Sequence, residues 1–572
     1  MRIAPNAPWP APRDAAACRI PIEVWVRILC LLDPEEVVRC RQTSRLLHRA
    51  GSTYALWRRF CASLAGRVPV PTIPDIYGGD GATSAEPATD AARHLEHAVL
   101  TARRLAHTWT TSGCIPRRVL RFRAHVNRIT SLRLVTGATT ATRSGRVHID
   151  RWLITGSVDG FARVWDVSKV LRQRGAMDVT PEYSVHESVP TFEDTSTHDE
   201  LDDGARPRGS MDVPSTADDP AWEIKRSARA VLVAEIDTGG DVTALDAELD
   251  RENMSMTIAV GSYYNSAGCL IYHLELRTLP HFLDHRASLD PPQWCGTQCV
   301  SLRRGVVAVG TYMGTLHIFN WKSGWRRTIE RAERGSIAAL KLYPSHALVV
   351  TRLGVLETHR LPTDETPSTE TEPSQPLAQY QVTTRPLLSV SFGEQEKDPW
   401  EGVPDGKQPR ALWAPLSLLV VDVTGLTHLE LMPCAEAGAF PYMLPPHSIA
   451  HVAMHGERLI GASIGMQGRR AIVASSLGGV PPVCTLRAYA RTDATGVAPI
   501  LFPLRATPDI GMPVDGARTQ PRGAPASGST IPSPSSRFDM LTESVLDEAH
   551  GLVCLASVRG AVWIADYGGY TE

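Results

Sequence analysis

An α+β multidomain chain, a small all-α domain followed by a large all-β ring of seven repeated units, is the fold class that three observations predict. Residues 19–61 carry apolar side chains at helical spacing. From Pro116 onward a strand, turn, strand unit recurs seven times. One of these units, WLITGSVDGFARVWDV at 152–167, has a tight Asp159-Gly160 turn and closes on Trp165-Asp166. A single unit of this kind cannot bury both of its faces, so it implies stacked copies.

Composition narrows the function classes. The 572 residues carry a formal net charge of −2, which leaves no basic footprint for nucleic acid or an anionic membrane. The longest apolar runs, such as LSLLVV at 416–421, are of strand length and far short of the ~20 residues of a membrane helix. Eleven cysteines lack the paired spacing of a zinc ribbon, and the first residues lack the apolar core of a signal peptide. Reduced thiols and a location in the cytoplasm and/or nucleus are the expectation.

Taken in order, residues 1–18 form a Pro/Ala-rich leader without a core. After Ile20-Pro21, Val24, Ile28, Leu29 and Leu32 recur on one helical stripe, and Asp33-Pro34 stops it. Asp33 suits the cap of the next helix and Pro34 its first turn, followed by Glu35-Glu36 where the helix dipole favours acid. Val37, Val38, Cys40, Leu46, Leu47, Tyr54, Leu56, Trp57 and Phe60 then supply a small core.

The whole stretch, IPIEVWVRILCLLDPEEVVRCRQTSRLLHRAGSTYALWRRF, resembles an F-box: the Leu-Pro start is Ile20-Pro21, the turn is Asp33-Pro34 and the ending is Leu56-Trp57-Arg58. That resemblance implies docking onto a Skp-type adaptor and, through it, a cullin-based ubiquitin ligase. The partner-facing positions it implies are Ile20, Pro21, Val24, Ile28, Leu29 and Leu32, with Trp57 packed beneath the helices. The bland alternative, a helical cap with no partner, is disfavoured because about 40 residues bury too little surface alone.

Residues 62–115 read as a Gly/Pro/Ala-rich linker ending in a spacer helix from about Ala91 to Thr110. Leu95, Val99, Ala102, Ala106 and Trp109 lie on its apolar side, and Arg103 and Arg104 on a solvated face.

In residues 116–572 the first strand of a blade recurs as RITSL (128–132), DVTAL (241–245), QCVSL (298–302), SIAAL (336–340) and PLLSV (386–390). The later strand pair recurs at 152–167, 257–276, 306–321, 347–361, 418–431, 459–477 and 552–567. The first unit, with Ala124-His125 upstream, resembles a blade of a WD-repeat β-propeller, which implies a buried network of His125, Thr155 or Ser157, Asp159 and Trp165. In such propellers both chain ends complete the last blade, so RVLRFR (118–123) is expected to add the outer strand to the blade of AVWIADY (561–567). Insertions near 172–220, 362–376, 393–411 and 506–535 are polar and rich in Ser, Thr or Pro, and are expected to be disordered.

Catalytic signatures are missing: there is no phosphate loop, nucleophile elbow or zincin helix. His281, His285, Cys295 and Cys299 invite a zinc reading, but the order is not that of a finger, and Cys299 aligns with the buried slot of Ile129, Val242, Ile337 and Leu387. No metal, no cofactor and no catalytic residue are expected. A protein substrate is expected at the mouth where the first strands begin, near Arg128, Asp241, Gln298, Arg334, Ser336 and Arg385, because Arg pairs bidentately with phosphate should that substrate be phosphorylated. Pro386 begins the fifth of those strands. Thr366-Pro367-Ser368-Thr369-Glu370 resembles a phosphorylated degron of the Thr-Pro-x-x-Glu kind.

Overall fold

The computed structural model describes residues 20–64, 85–110, 116, 118–140, 147–168, 230–250, 253–263, 268–277, 281–289, 296–330, 335–361, 375–393, 415–434, 440–454, 457–465, 468–477, 483–491, 500–504 and 541–567. The leader, Arg334, Cys295 and Thr366 lie outside them, as do the insertions at 172–220 and 506–535 in full. The other two insertions are described only at Gln375, Pro376 and Gly393. Among the described residues no helix is long and apolar enough to cross a membrane.

Five helices come first: α1 (Ile22–Leu29), α2 (Pro34–Cys40), α3 (Arg45–Gly51), α4 (Tyr54–Leu64) and α5 (Ala85–Thr110). Local chemistry sets the breaks between them. Pro21 precedes α1, and Pro34 opens α2 behind Asp33, whose backbone N–H donates to Glu36 Oε2 at 3.1 Å. Ser44 caps α3 by accepting from the Leu47 N–H at 3.1 Å. Leu29, Val37, Leu56, Trp57 and Phe60 form the core, with Ala92, Leu95 and Val99 of α5 in the same cluster. The indole of Trp57, fully buried, donates to Gly51 O at 2.8 Å.

Helix α5 joins the two bodies as one element. It begins at Ala85 rather than near Ala91, and its far end buries Leu105 and Trp109 among Ile472, Leu486, Trp563 and Tyr567 of the β-region. Arg104 is exposed, and Arg103, still partly open to solvent, pairs with the exposed Asp33 at 2.8 Å and Glu35 at 3.1 Å. Arg41 of the helical domain meets Glu96 at 2.5 Å. Such pairs between elements leave no periodic trace in the sequence.

Seven four-stranded antiparallel sheets make up the propeller. The strand Arg118–Arg123 pairs with Ala561–Asp566, from Arg118 opposite Asp566 to Arg123 opposite Ala561, so it is the outer strand of blade seven and the ring is closed by both ends. A single irregularity repeats in every innermost strand: a one-residue register shift between Ile129/Ser131, Val242/Ala244, Thr297/Cys299, Ile337/Ala339, Leu387/Ser389, Leu459/Gly461 and Leu541/Glu543.

The bulge is a ruler for alignment, and it corrects two expectations. In blade three the repeat is GTQCV (296–300), two residues earlier than QCVSL, so Thr297 fills the buried slot of Ile129 and Val242 while Cys299 takes the position of Ser131. A two-residue shift keeps each side chain on the same face of the strand, so alternation alone fits either setting. In blade six, residues 459–477 contain the first and second strands (Glu457–Ile464 and Arg470–Leu477), not the second and third. The third is Val483–Ala490.

Side chains of one blade hold the next. Asp246 accepts from the Leu302 N–H at 2.7 Å, Ser301 from the Leu342 N–H at 3.1 Å and Ser391 from the Ile464 N–H at 3.0 Å. Lys341 donates to Gly393 O at 3.0 Å. Strand direction defines two ends of the ring. At the upper mouth the innermost strands begin and the second strands turn into the third; α5 arrives at the lower end, where Trp109 meets Tyr489 near the end of a third strand and Tyr567 just past another.

Candidate functional site

Two surfaces carry the features that the sequence singled out. The first is the outer side of α1. Ile20, Pro21, Val24 and Ile28 are exposed, and they continue into Leu31, 84 % exposed, which sequence reasoning left out. Positions 24, 28 and 31 follow the i, i+4, i+7 spacing of one helical face. Leu29 does not share it: at 2 % exposure it belongs to the core, and Leu32 is half-buried against the same cluster. Helical geometry separates adjacent positions by about 100°, so 28 and 29 cannot both lie at the centre of one stripe.

The second lies in the propeller. In blade one the Trp165 indole N–H donates to Thr155 Oγ1 (3.1 Å), the Thr155 hydroxyl donates to His125 Nε2 (2.7 Å), and His125 Nδ1–H donates to Asp159 (3.0 and 3.1 Å). Burial lowers the pKa of His125, in keeping with a neutral ring that accepts at one nitrogen and donates at the other. Burial works to raise Asp159, but the hydrogen bond from His125 and the Arg163 charge outweigh it and the pKa is lowered. Ser157 stands apart from this chain and accepts from the Asp159 N–H at 3.1 Å. Arg163 completes the cluster, donating to Ala124 O at 2.8 Å and to Glu235 at 2.6 Å.

Every atom of that relay is tied to another part of the same blade, so its task is to hold the turn. Thr155→Val is expected to lower stability by about 1–3 kcal/mol, because it strands both the Trp165 N–H and His125 Nε2 in a buried site. Denaturant unfolding of the full chain measures this, and Thr155→Ser is expected to restore most of it.

The upper mouth gathers the expected substrate-site residues without clustering them. Arg128 (blade one) and Arg385 (blade five) are exposed, as is Pro386, whereas Asp241 and Ser336 are half-buried. Blades one and five are not neighbours, so the ring holds the two guanidinium groups apart. Gln298 is a bulge residue rather than the first of its repeat. With its amide oriented to satisfy both ends, it donates to Ile337 O (3.1 Å) and accepts from Arg352 Nε (2.9 Å) and Nη2 (3.0 Å). His285 bonds Ser288 at 3.0 Å and His281 lies beside Glu275 O; among the described residues no group of three or more potential ligands gathers for a metal.

Sequence reasoning placed turns between the second and third strands but missed the side-chain pattern they share. Five share one pattern, Ser, Thr or Asp, then two residues, then Gly: 157–160, 311–314, 351–354, 422–425 and 557–560. The first side chain takes a turn N–H each time, for example Thr311 from Thr315 (3.0 Å), Thr351 from Val355 (3.1 Å) and Ser557 from Ala561 (3.1 Å). Four of the glycines have φ between +76° and +85°, a conformation that other residues rarely adopt. The recurrence is legible in the chain once the turns are aligned.

A family model described as F-box-like matches residues 17–63. No curated protein matches the chain. Among solved structures, the computationally designed Ika8 protein is similar with a TM-score of 0.39 and 9 % identity over 78 % of this chain and 98 % of that one. A chain of a mitotic checkpoint complex gives a TM-score of 0.35 and 10 % identity over 60 % of this chain and 83 % of that one. The protein is thus an F-box-like segment followed by a seven-bladed β-propeller.

Proposed function

We propose that this chain is the substrate-recognition subunit of a Skp-cullin-F-box ubiquitin ligase. In this reading α1 docks into a Skp-type adaptor through Ile20, Pro21, Val24, Ile28 and Leu31, and the propeller presents a protein substrate to the ubiquitin-carrying arm. The observation that carries it is the exposed apolar stripe on α1, in a segment that matches an F-box-like family, on a body too small to leave such a stripe uncovered at no cost. Leu29 contributes from beneath, as part of the core that holds α1 in place. The chain itself is non-catalytic in this account: ubiquitin transfer belongs to its partners, which act in the cytoplasm and/or nucleus, and neither metal nor cofactor is required.

Co-purification of the full chain with a Skp-type adaptor tests the proposal. The expected result is a stoichiometric complex; recovery of folded protein with no adaptor overturns it.

A further inference from the structure

We infer that the upper mouth binds an unphosphorylated protein segment with large apolar anchors flanked by carboxylates. This rests on the receptor reading and specifies the class of substrate.

The argument begins with the five shared turns. In blade one the third turn residue is Asp159, folded back onto His125. The same slot holds Met313, Leu353, Thr424 and Arg559 in blades three, four, five and seven. None of these is a carboxylate, so the bond to a histidine that turns Asp159 inward has no counterpart of that kind in them. Most of what these turns present is apolar: Tyr312, Met313, Leu353, Val423 and Val558 are all exposed, Met313 and Val423 by about 60 %. Tyr263 of blade two stands edge-on to Tyr312 with ring centroids 6.0 Å apart, which joins the exposed side chains of blades two and three. Tyr312, Met313, Leu353, Val423 and Val558 all belong to the shared turns, so their exposure is set by the backbone. Large exposed apolar side chains gathered at one mouth and interspersed with charged groups mark a protein-binding face.

Charge selects the occupant. Arg128, Arg352, Arg385 and Arg559 are exposed on the same mouth, which favours acidic flanks. These four guanidinium groups are spread over blades one, four, five and seven, with Arg128 and Arg385 in non-adjacent blades and Arg352 directing Nε and Nη2 at Gln298, which suits several single charges along a segment better than one phosphate. Single carboxylates spaced along an extended segment supply such charges.

A phage-displayed library of random 12-residue peptides, unphosphorylated by construction, selected on the full chain in complex with its adaptor, tests the inference. Enriched peptides are expected to combine aromatic or aliphatic residues with Asp or Glu. The best of them should bind about tenfold or more weakly to the Tyr312→Ser/Met313→Ser/Leu353→Ser variant and several-fold more weakly to Arg128→Glu/Arg385→Glu. Phe282→Ser/Leu377→Ser, which removes exposed apolar side chains at outer strands, should leave affinity unchanged. Thermal unfolding and retained adaptor establish that each variant is folded. The inference is overturned by a library that yields no enriched peptide, by affinities indifferent to the three turn residues, or by binding gained only when Ser or Thr in the peptide is phosphorylated. Loss of adaptor from the wild-type chain is a separate result and counts against the receptor reading instead.

Discussion

Replacing Ile20, Val24 and Ile28 together by Asp abolishes adaptor capture and leaves the thermal transition of the propeller where it was. The three side chains are 37–41 % exposed in the free chain, so carboxylates there meet water and do not strain the fold. Once an apolar groove closes over them, each unpaired carboxylate costs several kcal/mol, on the order of a thousandfold in affinity for the set at the least. Leu31→Asp should weaken capture on its own. Leu29→Asp separates the two kinds of position: it places a charge in the helical core and is expected to unfold that domain, so adaptor binding is lost together with the helical signal. Capture measured on immobilised adaptor, with circular dichroism of each variant, distinguishes these outcomes. Unchanged affinity in the triple variant would move the docking face away from α1.

Trp109→Ala produces the largest loss of stability expected of a single substitution in the connection between the two bodies, about 3–5 kcal/mol. The indole is 1 % exposed, donates to Tyr489 O at 3.3 Å, meets Tyr567 edge-on at 5.4 Å and lies 5.8 Å from the Arg470 guanidinium. Blades six and seven both contribute to this pocket, which sits beside the closure of the ring. Its loss should therefore lower the midpoint of propeller unfolding and also free α5 from the propeller. Trp109→Phe keeps the ring contact and forgoes one hydrogen bond, for an expected loss of about 1 kcal/mol. Denaturant titration followed by fluorescence and by cross-linking of α5 to the propeller reads both effects. Equal stability of Trp109→Ala and wild type would mean that α5 is not anchored there.

How much of this was legible in the chain depended on what kind of signal each feature leaves. Helices α1 and α2 announce themselves through Pro21 and Asp33-Pro34, both local, and the ring closure follows from RVLRFR lying ahead of the first blade. Blade one could be read residue by residue because its relay uses four distinctive side chains, whereas blade six has Val473 and Tyr489 at the positions of Thr155 and Trp165, so no such relay marks its strands. Blade three was misread by two residues because the bulge that sets its register is a backbone feature. At the mouth, Arg128 and Arg385 were visible as charges, but their separation is a property of the closed ring. The exposure of Met313 and Leu353 is likewise invisible until the turn pattern is aligned across blades. Leu31 was passed over because the stripe was counted to Leu32, and only the packing of the core decides which of the two faces outward.

Reconstituted ubiquitin conjugation is the measurement closest to the central proposal. The full chain is combined with a Skp-type adaptor, a cullin module and the ubiquitin-activating and ubiquitin-carrying enzymes, together with a lysine-bearing peptide that binds the propeller. The account predicts conjugates on the peptide that require the chain and vanish with the Ile20→Asp/Val24→Asp/Ile28→Asp variant. A complex that forms with adaptor and cullin, holds the peptide and yet transfers no ubiquitin would contradict it, and would leave the propeller as a scaffold for an assembly unrelated to degradation.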